Sequence, residues 1–410
     1  MYTISATAIK CHHLATVCIK RGRSTPFARV SAATMPSSLL ITGFGVKYPP
    51  NLSLTEDLDK LAYKWYPASP ALDKVLSINR RTGIKSHSLI YPLLDLPYPP
   101  SIKEVSEIFN REGIPLSKAA AQAALTEAGL TPAEVTHVVA TTCTDVSNPG
   151  FDSRLAQELG LRPSIERVLL SGVGCAGGLA ALRLAASLCQ SAAWRGEPAH
   201  VLVVACEITS TMRRDELELI AKEQQVRIGI TLFGDGAAAL VLSVAPTGTG
   251  RGIYELVNWA HLTVPDTQSD LRIDVDTSGF KPTLSPRIPT LTGKCVPLLY
   301  DALFSTLPAA STALTTLPPP SDSRTREFDW AVHPGGAAIL KAVQDTMAVD
   351  REHLKASWDV YESHGNTSSV TVLSVLDVLR RGEGREWVVS MAFGPGVTAE
   401  GALLRRLSTS

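Results

Sequence analysis

Nowhere in these 410 residues is there an uncharged apolar run of about 18 residues or more, the length a membrane-spanning helix requires, so no span is expected. Net charge of either sign is lacking too. Lys and Arg total 39 and Asp and Glu total 39, which removes any bulk electrostatic attraction to nucleic acid or to an anionic membrane surface. Paired cysteines are missing. The seven present (Cys11, Cys18, Cys143, Cys175, Cys189, Cys206 and Cys295) are odd in number and scattered, several inside apolar runs, as in a reducing compartment, and no disulfide is expected. Acidic residues are absent from the first 53 positions, whose opening part carries Lys10, Lys20, Arg21, Arg23 and Arg29. An acid-free, Arg- and Ser-containing N-terminus reads as an organelle presequence, as a disordered tail, or as a start set upstream of a true one at Met35; the last two are preferred, with a cytoplasmic location. Cys11-His12-His13 with Cys18 lacks the four well-spaced ligands of a zinc clip, and no metal site is expected.

What is present is a chain 45% hydrophobic and only 19% charged, enough to bury a large core as one large or two fused α/β domains. Apolar strands alternate with helical segments, the pattern of a layered α/β fold. Strands are expected at Leu39 to Gly45, Val135 to Thr142, Val168 to Leu170, Val201 to Cys206 and Ala237 to Val244, the last following a tight Gly234-Asp235-Gly236 turn. In the second half Trp330 to His333 reads as a short strand, Gly336 to Met347 as a helix, Asn366 to about Arg381 as another helix, and Trp387 to Phe393 with Thr398 to Leu407 as closing strands. Ser305 to Arg326, rich in Pro, Ser and Thr, reads as a surface loop without chemistry.

Ser171-Gly172-Val173-Gly174-Cys175-Ala176-Gly177-Gly178 joins a strand to a helix and permits two readings. Gly172 to Gly177 fits the G-x-G-x-x-G dinucleotide fingerprint, but the acidic residue needed about 20 positions on is misplaced: Glu197 lies in a turn and Glu207 comes too late. The alternative is a nucleophile, because a thiol at a helix N-terminus faces unpaired N–H groups and the positive end of the dipole, which favour its thiolate. Two further polar residues stand at element ends, His333 after a strand and Asn366 before a helix. Each alone reads as ordinary: a buried small hydrophobe, a satisfied core histidine, an N-cap. Together a cysteine, a histidine and an asparagine supply the nucleophile, base and donor that acyl transfer needs.

The surrounding motifs resemble those of the thiolase superfamily and, within it, the type III polyketide synthases related to chalcone synthase. The resemblance runs from about Leu39 to Leu407. It is carried by Gly174-Cys175-Ala176-Gly177-Gly178, Leu232-Phe233-Gly234-Asp235-Gly236, His333-Pro334-Gly335-Gly336, Gly365-Asn366-Thr367-Ser368-Ser369 and Phe393-Gly394-Pro395-Gly396. It implies an α/β fold of the thiolase type, two similar βαβαβ halves in a layered αβαβα arrangement. Residues 1–34 would then be an extension, 35–246 the half with the nucleophile and 247–410 the half with the histidine and asparagine. The implied chemistry loads an acyl group from acyl-CoA onto Cys175 and decarboxylates malonyl-CoA under His333 and Asn366. The resulting enolate condenses with the Cys175 thioester over repeated rounds, using no cofactor beyond the CoA thioesters themselves. By the same resemblance Lys74 and Arg81 contact CoA, with Ser77 in place of a third basic residue, and Gly335 and Ala338 border the pantetheine arm. Thr142, Cys143, Met212, Gly234, Pro282, Phe393 and Pro395 fall in the acyl and cyclisation pocket. Family members form homodimers, with the Asn148 neighbourhood near the partner's cavity.

Departures from the plant pattern bear on the product. The stretch Thr209 to Arg214 holds no aromatic where a gatekeeping phenylalanine is expected, Pro282 takes a second aromatic position, Cys143 a serine position, and Ala392 stands before Phe393 where a glycine is usual. Smaller or more flexible residues leave room for a long apolar chain, so a fatty acyl starter and an alkylpyrone or alkylresorcinol-type product are expected. A ketoacyl synthase that initiates fatty acid synthesis from acyl carrier protein is the alternative reading.

Overall fold

The computed structural model describes residues 37–91, 98–246, 251–307, 312–321 and 323–407. The expectations for residues 1–34 lie outside the described residues. Among the described residues nine strands form one sheet: β1 (Ser37–Lys47), β2 (His137–Thr141), β3 (Glu166–Leu170), β4 (His200–Glu207), β5 (Gly236–Pro246), β6 (Tyr254–Thr263), β7 (Phe328–Val332), β8 (Trp387–Gly394) and β9 (Thr398–Arg406). Their order is β7-β8-β9-β6-β1-β5-β4-β2-β3. Read outward from the middle, β6-β9-β8-β7 repeats β1-β5-β4-β2, with a parallel pair (β8/β7 and β4/β2) at the outer end of each run. The two runs meet at a narrow seam, where β1 and β6 are in register only at Leu40 with Glu255 and Ile41 with Tyr254.

The helices that matter for the site are α1 (Pro70–Asn79), α2 (Ile114–Ala128), α3 (Phe151–Glu158), α4 (Gly177–Trp194), α5 (Arg213–Glu223), α6 (Ile288–Ser305), α7 (Ala337–Met347), α8 (Lys355–His364) and α9 (Thr371–Leu379). Strand β4 shows why the fold is layered. Val201, Val203 and Ala205 pack on one core with α4 and α9, while Leu202, Val204 and Cys206 pack on another with α2 and α3. Side chains alternate across a strand, so a strand apolar at every position is covered on both faces. The second run does the same: Val388 meets the α4/α9 core and Trp387 and Val389 the core of α6 and α7. The sequence of layers is helices, sheet, the central pair α4 and α9, sheet, helices, as expected of a thiolase-type fold. Each central helix leads out of one of the polar motifs, and that brings the motifs from the two halves together.

Outside the sheet, a hairpin of Leu271–Asp276 and Gly279–Leu284 projects beside the motifs, and strand Ser86–Leu89 pairs with Asn51–Leu54. Among the described residues no helix is long and apolar enough to cross a membrane. The five described cysteines are free thiols.

Candidate active site

Cys175 sits in a single 3-10 turn, Gly174–Ala176, between β3 and α4. Gly174 has φ +53°, and a Cβ there would lie 2.6 Å from Pro395 Cδ, so the turn needs glycine both for its backbone and for the close approach of the Phe393-Gly394-Pro395-Gly396 segment. His333 follows β7, and its N–H donates to Met391 O at 2.8 Å, extending the β7/β8 pairing by one residue and fixing where the ring emerges. Asn366 was expected to open a helix. It instead bridges to Phe233, its N–H donating to Leu232 O at 2.8 Å and its carbonyl accepting from Gly234 N at 3.0 Å, and α9 begins only after a 3-10 turn at Ser368–Val370. The side chain does behave as a local cap, its Oδ1 accepting from Ser368 N at 2.8 Å. That bond turns Nδ2 to the other side, where it donates to Gly335 O at 3.4 Å and lies 4.0 Å from Cys175 Sγ.

Cys175, His333 and Asn366 therefore line one cavity of about 630 Å³, otherwise bordered by apolar side chains such as Ile228, Leu232, Leu271, Leu284 and Ile339. Its electrostatics set burial against the pull of the helix N-terminus on the thiol. Cys175 opens onto the cavity but is enclosed on its other sides, and this burial pushes the thiol up to about 11, although hydrogen bonds from Ser368 and Asn366 pull it back. Burial alone brings His333 down to about 3. Desolvation penalises any single charge here, whereas a thiolate and an imidazolium formed together by proton transfer would compensate one another. Both ring nitrogens of His333 lack a hydrogen-bond partner among the described residues. An unpaired buried polar group costs about 1–3 kcal/mol, recovered when a ligand oxygen reaches it. Gly335 keeps that space open: a Cβ would stand 3.3 Å from His333 Nε2. The site thus presents a thiol, an imidazole lining the same cavity, and N–H donors of that ring and of Asn366 facing an apolar space, a set suited to acyl transfer and to stabilising an enolate.

Beneath Cys175 lies a carboxylate whose part the sequence does not reveal. Glu207, at the end of β4 and fully buried, accepts at Oε2 from Thr142 Oγ1 (3.3 Å), Cys143 N (3.0 Å), Cys143 Sγ (3.3 Å) and Thr144 Oγ1 (3.1 Å), and at Oε1 from Ser369 Oγ. Burial raises its pKa and these donors lower it. It ties the end of β2 to the turn after Asn366, and so one half of the site to the other. Glu207→Ala is expected to cost about 3 kcal/mol or more in urea unfolding, because several buried donors lose their acceptor. Glu207→Gln, which keeps one carbonyl acceptor, should cost less.

Of the residues that the resemblance implied, Arg81, Gly335, Ala338 and Phe393 line the main cavity. Arg81 is exposed at its rim and donates to Ser77 O at 3.0 Å and Ser77 Oγ at 3.1 Å, so Ser77 orients the arginine in place of a third cation. Lys74 lies on the exposed face of α1 and does not border the cavity. Cys143, Met212, Pro282 and Pro395 line a narrow chamber of about 20 Å³ that shares Cys175, Phe233, Leu271 and Leu284 with the main cavity. Thr142, Cys143 and Pro395 also border a cleft of about 140 Å³ with Val146 and Val275. Gly234 borders none of these three; it belongs to the bridge that holds Asn366, a bridge anchored by the buried Asp235 carboxylate, which accepts from Ser210 N and Ile90 N at 2.7 Å each. The expected absence of a gating aromatic is corrected by Phe233, which stands on the boundary between cavity and chamber. Its place beside the Gly-Asp-Gly turn made it read as a turn residue.

Comparison with known proteins follows the same lines. Sequence models of the N-terminal and C-terminal domains of chalcone and stilbene synthases match residues 79–246 and 255–408. The chain is 37% identical over 388 residues to the acylalkylpyrone synthase csyB of Aspergillus oryzae, covering 91% of this chain and 96% of that protein. A crystal structure of a fungal type III polyketide synthase, ORAS, superimposes with a TM-score of 0.84 at 45% identity, covering 90% of this chain and all of that one. A structure of CsyB complexed with CoA-SH gives 0.83 at 36% identity with the same coverage. These similarities set aside the readings as an initiating ketoacyl synthase and as a dinucleotide-binding protein.

Proposed function

The chain belongs to the chalcone and stilbene synthase family, and from that premise we propose that it is a type III polyketide synthase that extends a fatty acyl-CoA starter with malonyl-CoA and releases alkylpyrone or alkylresorcinol-type products. The observation that carries this is the meeting of Cys175, His333 and Asn366 on one apolar cavity with a narrower chamber beyond the sulfur.

In this reading the Cys175 sulfur attacks the starter thioester carbonyl, its proton passes to His333, and CoA thiol leaves with a proton. Malonyl-CoA then enters with its thioester oxygen facing the His333 ring and Asn366 Nδ2. The carbon–carboxylate bond breaks, carbon dioxide departs, and the electron pair is held as an enolate by those two donors, which act strongly in a water-poor site. The enolate carbon attacks the acyl-Cys175 carbonyl, the cysteine leaves as thiolate, and the lengthened acyl-CoA can reload. Arg81 at the rim supports docking of CoA phosphate. No cofactor beyond the CoA thioesters is required by these steps.

A homodimer is part of the same proposal. Among the described residues strand β3 ends the sheet with an unpaired edge, Val168 to Leu170 are only half-buried, and Val146 nearby is 52% exposed. An uncovered apolar edge of this kind is a pairing surface for a second copy. A cytoplasmic location remains the expectation drawn from the cysteine usage.

Incubating the purified protein with malonyl-CoA and acyl-CoA starters from two to eighteen carbons, followed by mass spectrometry of products, tests the proposal. Lactones or resorcinols made best from medium and long chains are expected. Good extension of an aromatic starter with long chains ignored would overturn the starter assignment, and a single β-ketoacyl product would overturn iteration.

A further inference from the structure

We propose that Arg227 is a positioning residue that holds the narrow chamber beyond Cys175 closed and thereby limits the length of chain the site accommodates. The inference rests on the polyketide synthase reading above. The chamber, about 20 Å³, is too small for a growing chain, so its walls must part for any elongated acyl group to enter. One wall is the Leu271–Leu284 hairpin, which contributes Leu271, Ile273, Pro282 and Leu284. Facing it is the segment from Met212 through α5 to Phe233, with Met212 and Phe233 on the chamber and Val226 and Ile228 on the main cavity.

Arg227 joins the two walls. Its Nη2 donates to the Pro282 carbonyl at 2.9 Å, and its Nε lies 3.6 Å from Glu216 Oε1 on α5. The side chains are 15% and 4% exposed, so this is an enclosed contact rather than a solvated surface pair. Glu216 also accepts from Ile230 N, which fixes the loop on which Arg227 sits. A second tie runs parallel, from Lys281 Nζ to Asp215 Oδ2 at 3.9 Å. Arg227 itself lines neither the cavity nor the chamber, and it touches none of Cys175, His333 or Asn366. Its removal should therefore free the hairpin without disturbing the reacting groups.

The test is the product profile of Arg227→Ala, with Arg227→Lys and Glu216→Gln beside it, on a series of acyl-CoA starters. The ratio of kcat/KM for a sixteen-carbon starter to that for a six-carbon starter should rise about tenfold in Arg227→Ala, the scale of discrimination a hydrophobic pocket exerts on a few methylenes. Products should gain extension units, and malonyl-CoA decarboxylation should persist. Glu216→Gln should shift the profile the same way but less. Arg227→Lys, which can reach one partner but not both, should fall between. Should Arg227→Ala not fold, Arg227→Met, which fills similar space without a donor for the Pro282 carbonyl, should raise the same ratio. An unchanged profile in folded, active variants overturns the inference alone. A wild-type protein that makes no polyketide from any starter overturns the functional reading and this inference with it.

Discussion

Cys175→Ala is expected to abolish condensation, lowering product formation by at least about 10³-fold, the order seen when an activated nucleophile is removed and only binding and oxyanion donors remain. Among the described residues, Cys143 is the other thiol on the chamber and is not expected to take over. Burial first and the Glu207 carboxylate second push its thiol far above the ordinary range, and its Sγ is already committed to Glu207 and to Ser368. The same variant should still decarboxylate malonyl-CoA, because His333 and Asn366 are held by backbone bonds that do not involve Cys175. Intact-protein mass spectrometry after incubation with acyl-CoA should show an adduct in the wild type and none in the variant. Full product formation by Cys175→Ala would refute the nucleophile assignment.

The second large effect is expected from Asn366→Ala, with decarboxylation of malonyl-CoA slowed about 10²- to 10³-fold, the usual cost of removing one donor aimed at developing negative charge. The substitution removes Nδ2, the donor that faces both Gly335 O and the sulfur. It also leaves Ser368 N without its acceptor, a structural cost of about 1 kcal/mol that should appear in the melting temperature and not in the chemistry. Acylation of Cys175 should survive far better than decarboxylation, since His333 remains to take the thiol proton. Carbon dioxide release from malonyl-CoA and adduct formation from acyl-CoA, measured separately, distinguish the two steps. Equal loss of both would indicate that Asn366 is needed for the integrity of the pocket rather than for the enolate.

The layered arrangement was legible because its strands carry strong local signals. β4 and β8 are largely apolar on both faces, so periodicity placed them within a residue of their observed bounds, and the small residues after Cys175 marked the start of α4. Asn366 was displaced because its bridge to Phe233 is a contact between segments 133 positions apart, which no local pattern encodes. Phe233 was missed for the same reason: its neighbours define a turn, and only the packing of that turn against Asn366 directs the ring to the cavity boundary.

The sequence by itself determined the identities that chemistry requires, a cysteine, a histidine and an asparagine each at the end of an element, and the alternation that forces two covered sheet runs around central helices. Those are local properties, fixed by residue type and period. Tertiary structure alone decided the electrostatics and the dimensions. Burial raises the Cys175 thiol and lowers the His333 imidazole, Glu207 gathers donors from β2 and from the turn after Asn366, and Arg227 donates across to the Pro282 carbonyl of the facing hairpin. Desolvation and cavity volume depend on everything that surrounds a group, and that is assembled only when distant segments pack.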